Sequence, residues 1–368
     1  MKIVQVVPRL ESGGVERGTV EVATALAATE HDPIVISEGG RMVAELAAHG
    51  VRHVQMQVGR KTIGCLSAIR QLESFFNQEK VDIVHCRSRL PAWLTMLALG
   101  RMSQSRPRFV TSVHGLHSVS RYSAIVARGD RVEVVSRTAR EYLEDNYQGV
   151  DPDKIRLILR GIDPEKYYPS FRPSQDWIDD WNEHVREFNP DALPVVTLAG
   201  RISRLKGHDD FLSVLEMLNR GGRSCKGLIV GGHGGRHTRY AESLKKRVQG
   251  SSMLRNNVWF AGHRSDLREI LSASDVVLSL SRTPESFGRT VLEALSLGIP
   301  VVAYDHGGVG EILQELYPRG ATRLGDLDSV ASNIKAVLDN SASIADHTMT
   351  LQRMCSETIA MYEELAAC

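Results

Sequence analysis

An α/β fold built from two doubly wound parallel sheets is predicted by three features of the sequence. Short apolar runs alternate with helical patterns along most of the chain, which is the rhythm of strand–helix–strand units. The rhythm breaks once, over residues 161–193, where Pro164, Pro169, Pro173 and Pro190 lie among aromatic and charged residues and no buried strand is evident. That stretch reads as a connector between domains spanning 1–168 and 169–348. Glycine pairs or cations follow several of the apolar runs, at the strand ends where open parallel sheets take ligands.

The first series opens with a strand at 3–7, a turn at 8–12 and the pair Gly13-Gly14 before a helix at 15–28. Strands follow at 33–37, 51–58, 81–86, 108–113, 132–135 and 155–159. Helical patterns at 42–49, 63–79, 91–100 and 136–147 separate them. A charged helix at 176–188 lies in the connector. The second series has strands at 195–199, 226–230, 258–261, 276–280 and 299–303. Its helices fall at 209–220, 240–249, 266–272, 286–297, 307–316 and 326–338. The last segment sets Leu351, Met354, Thr358, Met361 and Leu365 on one face, so it is an amphipathic helix.

Composition excludes several classes. With 42% hydrophobic and 24% charged residues, the chain is ordinary for a soluble globular protein. A net charge of +1 removes any whole-protein argument for nucleic acid as a partner. The charge is uneven: residues 87–140 hold ten Arg, no Lys, and only Asp130 and Glu133 as acids. This is either a solvated basic surface or a patch for an anionic acceptor or membrane. The five cysteines are scattered without a CxxC pair, so free thiols in a reducing cytosol are expected and no metal site is assigned. The N-terminus enters a strand directly, and no apolar run reaches membrane-spanning length. A cytoplasmic location is expected, with peripheral contact on the inner face of an anionic membrane.

Residues 284–300 carry the richest signal. Phe287, Val291, Ala294 and Leu295 share one apolar helical face, and Gly298 and Pro300 stop the helix. Glu285 stands at the helix mouth. Glu293 lies nearly opposite the apolar face, toward water or a cleft. A bare carboxylate repels phosphate, so this pair suits hydroxyls of a sugar and a ribose, while backbone N–H groups of Phe287, Gly288 and Arg289 suit an anion. A solvated helix surface fits the stretch alone equally well. Residues 200–207 place Arg201, Arg204 and Lys206 in a turn after a strand. There Arg201 can fork onto phosphate oxygens and Lys206 can add a point charge. His114 ends a strand, either as a structural residue or as a neutral imidazole orienting a hydroxyl. Gly13-Gly14 suits either a plain turn or a close approach of phosphate to backbone. The spacing is not GxGxxG, and no P-loop, HExxH or GxSxG signature occurs.

The combination of Gly13-Gly14, Arg201 with Lys206-Gly207, and Pro284-Glu285-Ser286-Phe287-Gly288 with Glu293 and Gly298-Ile299-Pro300 resembles glycosyltransferase family 4. These are retaining enzymes of GT-B fold, with two Rossmann-like domains facing a central cleft. The resemblance implies that the N-terminal domain binds acceptor and the C-terminal domain a nucleoside-diphosphate sugar. Arg201 and Lys206 would hold the diphosphate, with Gly13 and Gly14 approaching from across the cleft. Glu293 would take the ribose, and Glu285 the transferred sugar beside the backbone of Ser286, Phe287 and Gly288. His114 would lie by the anomeric carbon, and Gly262 and Arg264 beside the base. The helix at 349–368 would cross back onto the N-terminal domain. No cofactor and no metal would be required.

One departure stands out. Arg160 precedes Gly161-Ile162-Asp163 where many relatives carry Asn. Together with Arg87 and Arg89 it suggests an anionic acceptor. The expected reaction is hexosyl or N-acetylhexosaminyl transfer, with UDP-sugar as donor and a bacterial surface glycan or glycolipid such as lipopolysaccharide core as acceptor. A sugar-nucleotide epimerase or hydrolase of the same fold, a dinucleotide-dependent oxidoreductase and a non-catalytic nucleotide-binding module are the competing readings.

Overall fold

The computed structural model describes residues 1–11, 13–60, 65–102, 106–189, 191–340 and 343–367. Ser12, Ile63, Pro190 and Cys368, which enter the sequence reading, lie outside the described residues. Two compact units are present: Met1–Gly161 with Met349–Cys368, and Ile162–Thr348. The division falls at Gly161/Ile162, ahead of the 168/169 expected from the proline-rich stretch.

In the N-terminal unit the strands are β1 (Lys2–Val6), β2 (Asp32–Ser37), β3 (Arg52–Gln55), β4 (Ile83–Cys86), β5 (Arg108–Val113), β6 (Arg131–Val134) and β7 (Ile155–Leu157). The helices are α1 (Gly14–Ala27), α2 (Val43–Ala48), α3 (Cys65–Glu79), α4 (Arg89–Leu99) and α5 (Arg137–Asn146). The strands form one seven-stranded sheet in the order β3-β2-β1-β4-β5-β6-β7, and every pairing is parallel. Parallel sheets need both faces covered, and β4 is buried at all of its positions.

The second unit contains α6 (Gln175–Phe188), β8 (Val195–Ala199), α7 (His208–Arg220), β9 (Lys226–Val230), α8 (Thr238–Gly250), β10 (Val258–Gly262) and α9 (Leu267–Ser272). It continues with β11 (Val276–Ser279), α10 (Arg289–Ser296), β12 (Val301–Tyr304), α11 (Gly307–Leu316), β13 (Ala321–Thr322) and α12 (Leu327–Asp339). The parallel sheet runs β10-β9-β8-β11-β12-β13. Both sheets start in the middle, wind to one edge and return to the other side. The strand order therefore reverses between β1 and β4 in one unit and between β8 and β11 in the other. Ligands of such sheets sit at the carboxyl ends of the strands flanking that reversal.

The terminal helix α13 (Leu351–Ala367) belongs to the N-terminal unit. Its Met354, Met361, Tyr362 and Leu365 pack with Ile3, Val22, Leu26, Ile83 and Val110. In the second unit, Trp177 and Trp181 of α6 stack at 5.1 Å, and Trp181 lies 5.4 Å from Trp259 of β10. The charged connector thus contributes an aromatic layer over that sheet.

Three boundaries differ from expectation for identifiable reasons. The helix read at 286–297 begins only at Arg289, because Gly288 is left-handed at φ 109°. Helix α4 begins at Arg89, with Pro91 in its first turn, where a missing N–H costs nothing. Strand β13 has two residues and no apolar run to announce it.

Candidate active site

The loops after β8 and β11 carry the densest set of expected ligands. Lys206 Nζ lies 2.8 Å from Glu285 Oε1, with the side chains 33% and 26% exposed, so both stay open to a ligand. Ser281 Oγ donates to the same carboxylate oxygen. His306 Nε2 lies 2.7 Å from the Ser281 carbonyl, and the Gly308 N–H donates to the Glu285 carbonyl at 2.8 Å. Burial alone would raise the Glu285 carboxyl. The Lys206 charge and hydrogen bond, with help from Ser281 and His306, instead hold it below the usual glutamate range. The group is therefore a carboxylate at neutral pH, ready to accept hydroxyls.

The cations of the 200–207 turn divide. Arg204 stacks its guanidinium over the Tyr240 ring at 4.8 Å. Arg201 is exposed and makes no ion pair among the described residues, so its charge stays available at the same loop as Lys206. Glu293 points neither to open water nor away from its neighbours: its side chain is 10% exposed and lies 2.9 Å from Arg289 Nε, one helical turn back. Ser286 and Phe287 form the turn ahead of α10, with Phe287 buried. Gly262 ends β10 and accepts from the Gly231 N–H at 2.7 Å, joining the glycine run to that strand end. Arg264 is forked onto Asp266 at 2.9 and 2.6 Å, and Trp177 Nε1 donates to the same acid at 2.7 Å.

In the N-terminal unit the structure corrects the reading of two arginines. Arg87 has a fully buried side chain, donates from Nε to Gln5 Oε1 at 2.6 Å and lies 3.7 Å from Glu133 Oε2. It is an internal charge and has no surface to offer an acceptor. Arg160 is 6% exposed. Its Nη2 donates to the Gly14 carbonyl at 2.6 Å, and its Nη1 reaches Met354 Sδ at 3.7 Å. Gly18 leaves the space for this guanidinium, since a Cβ there would fall 1.9 Å from Arg160 Nη1 and push it aside. Arg160 thus fastens the start of α1 and the Gly13-Gly14 turn. Arg89 is half-buried, donating to Ser123 Oγ at 2.9 Å with its guanidinium over Tyr122. The basic stretch is also less basic than its count suggests. Arg101 pairs with Glu73 and Arg140 with Glu144, acids outside the counted segment, and Arg106 pairs with Asp130.

His114 sits at the end of β5 with its side chain 7% exposed and Nε2 3.8 Å from Glu133 Oε2. Burial, then the positive charges of Arg160 and Arg87, hold its imidazole neutral against the opposing pull of Glu133. Behind it runs a polar chain that the sequence reading missed. Ser112 Oγ donates to Glu133 Oε2 at 2.5 Å. With its only proton so used, Ser112 accepts from His85 Nε2 at 2.5 Å, and His85 Nδ1 accepts from the Tyr362 hydroxyl at 2.6 Å. The readable signal is polar residues at every second position of strands that should be buried on both faces: Gln5, then His85 and Arg87, then Ser112 and His114. Ser281, Asp210, Arg282 and His306 of the second unit were likewise missed. Among the described residues no group of three or more His, Cys, Asp or Glu could hold a metal ion, and no helix is long and apolar enough to cross a membrane.

Comparison with known proteins fits this geometry. The sequence pattern of "Glycosyltransferase Family 4" matches residues 12–166, and that of "Glycosyl transferases group 1" matches 179–354. The chain belongs to glycosyltransferase family 4. Among its family relatives, the lipopolysaccharide core biosynthesis mannosyltransferase LpsB of Rhizobium meliloti is 29% identical over 228 residues. That match covers 60% of this chain and 57% of LpsB. A D-inositol 3-phosphate glycosyltransferase of Jonesia denitrificans, also 29% identical, is matched over 62% of this chain and 56% of its own length. The matches thus span little more than half of these relatives. Among solved structures, a glycosyltransferase from Rickettsia africae superimposes with TM-score 0.82 at 28% identity, over 99% of this chain and 98% of that one. Anabaena HepE in complex with UDP and glucose gives TM-score 0.79 at 20% identity, over 100% and 98%. The fold is the GT-B fold of these enzymes.

Proposed function

We propose that this family member is a retaining, metal-independent glycosyltransferase. It moves a hexosyl or N-acetylhexosaminyl group from a nucleoside-diphosphate sugar, with UDP as the nucleotide, to a hydroxyl of a bacterial surface glycan or glycolipid. The observation that carries the reading is the Lys206–Glu285 pair at the strand-order reversal, next to an exposed Arg201. A cation serves the phosphates and a carboxylate the sugar hydroxyls. The named activity of LpsB and the UDP and glucose bound by HepE support the choice of substrate class.

In the proposed reaction the bond from the anomeric carbon to the diphosphate oxygen breaks first. Arg201 and Lys206 stabilise the charge gathering on the leaving group. An acceptor hydroxyl attacks on the same face, forming the new bond, and its proton passes to the leaving phosphate oxygen. Glu285 fixes the sugar through its hydroxyls, and Glu293 serves the ribose. Gly262 and Arg264 stand by the base. No side chain becomes covalently attached.

A thermal-shift screen against UDP, GDP, ADP and CMP and their common sugars, in EDTA, tests the donor side. A ligand at about a hundred times its Kd stabilises by about 2.7 kcal/mol, a shift of a few degrees. A response to one nucleotide that disappears in Lys206→Ala supports the reading, whereas silence toward all of them overturns it. Incubating the responding donor with and without lipopolysaccharide core acceptors then separates transfer from hydrolysis.

A further inference from the structure

The two loops that carry Lys206 and Glu285 are stitched together beneath the site. They follow β8 and β11, which pair directly. The Arg282 N–H donates to the Leu205 carbonyl at 2.7 Å, one residue from Lys206. Gly207 passes Leu280 so closely that a Cβ would fall 1.9 Å from its carbonyl oxygen. The Arg282 guanidinium then forks onto Asp210, at the start of α7, with Nε to Oδ2 at 3.0 Å and Nη2 to Oδ1 at 2.5 Å. The acid is anchored from a third element, since the Tyr304 hydroxyl of β12 donates to Asp210 Oδ2 at 2.8 Å. Asp210 is 4% exposed while Arg282 is 58% exposed. A buried carboxylate with a fixed phenol therefore holds a guanidinium that would otherwise move freely in solvent, and a bidentate contact fixes angle as well as distance.

We propose that Asp210 and Arg282 are positioning residues that hold the Lys206 loop and the Glu285 loop in register. The inference rests on the donor-site reading above for its consequence, but not for its geometry. In the free protein Lys206 and Glu285 satisfy each other. A bound donor replaces that contact with phosphate on one side and sugar hydroxyls on the other. With the loops clamped, the exchange needs only side-chain rotation. Without the clamp, each loop must be ordered when the ligand binds, which weakens affinity.

Hydrogen exchange and UDP titration on the full-length protein test this, using Asp210→Asn, Arg282→Ala and the double variant. Asp210→Asn keeps an acceptor for Tyr304 and removes only the charge. Both single variants should exchange faster at 203–207 and 281–288, with β8 and β12 unchanged, and should lose about tenfold in UDP affinity. The double variant should lose no more than either single one, because both act through one contact. Arg282→Lys, which retains the charge without the fork, should recover only part of the loss. Unchanged exchange in both segments, or additive losses in the double variant, would overturn the proposal. Faster exchange in the variants of a protein whose wild type ignores UDP would uphold the clamp and fail the donor reading instead.

Discussion

Lys206 Nζ and Glu285 Oε1 meet at 2.8 Å across loops that follow adjacent parallel strands. Each side chain is the other's partner, so the two opposite charges are held against each other. Lys206→Met removes the cation and leaves Glu285 with Ser281. Losing one charge-assisted contact of about 1.5–3 kcal/mol lowers nucleoside-diphosphate affinity roughly 10- to 150-fold. Isothermal titration reads this directly, and an unchanged Kd contradicts it.

The same pair has a defined pH signature. The folded Glu285 carboxyl lies below its ordinary value of 4.5. Its contribution to stability is fully present above that value and is lost as pH falls through the lowered folded value. The stability difference between wild type and Glu285→Gln should therefore be constant at neutral pH and shift only in acid below about 4.5. Unfolding midpoints across pH 3–7 measure it, and a shift confined to pH 6–7 would rule it out.

His85 makes a distinct prediction. Burial, reinforced by Arg87, lowers its imidazole to about 4 from an ordinary 6.5. The unfolded chain takes up that proton first, so the stabilising neutral form is fully secured above 6.5 and its advantage is lost as pH falls toward 4. Wild-type stability should fall in that window by up to about 1.4 kcal/mol per pH unit more steeply than in His85→Gln. Urea unfolding at several pH values compares the slopes, and parallel curves would refute it.

The sequence offers Arg87 as an acceptor contact, whereas in the structure it is an internal charge. Arg87→Met leaves Glu133 buried with its Ser112 hydrogen bond but without the Arg87 counter-charge, at a cost of about 3–5 kcal/mol. Adding Glu133→Gln removes the stranded charge and should recover part of that loss. Denaturant titration of both variants separates this from a surface role, in which neither change would affect stability.

Gly207→Ala should damage fold and site together. The residue is left-handed at φ 72°, and its Cβ would collide with the Leu280 carbonyl. Strain of about 2 kcal/mol or more lowers the midpoint by roughly 4–8 °C. Nucleotide affinity should fall as well, because the strained turn is the one carrying Lys206. Calorimetry with and without UDP reports both effects.

The fold was legible because parallel strands buried on both faces leave continuous apolar runs, as at Ile34–Val35–Ile36 and Val301–Val302–Ala303. The charged loop residues of the second unit were legible because turn chemistry is local. What stayed hidden was long-range. Nothing near Arg87 in sequence announces Glu133, and a count of arginines treats a buried guanidinium as a solvated one. Glu144 and Glu73 neutralise arginines of a segment that does not contain them. The Asp210–Arg282 contact links positions far apart in the chain and has no periodicity to reveal it.

The N-terminal unit takes Met1–Gly161 from one end of the chain and Met349–Cys368 from the other, while Ile162–Thr348 is continuous. On the ribosome the order of emergence and the order of completion are therefore reversed. The second unit can close its core while the first still lacks α13 and exposes Ile3, Val22, Leu26, Ile83 and Val110. The Tyr362 hydroxyl that completes the His85–Ser112–Glu133 chain is delivered only after the whole of the second unit has been made. Of the two units, the one begun first is thus the one finished last, and a nascent chain halted before α13 carries an open apolar face for chaperones or neighbouring chains to find.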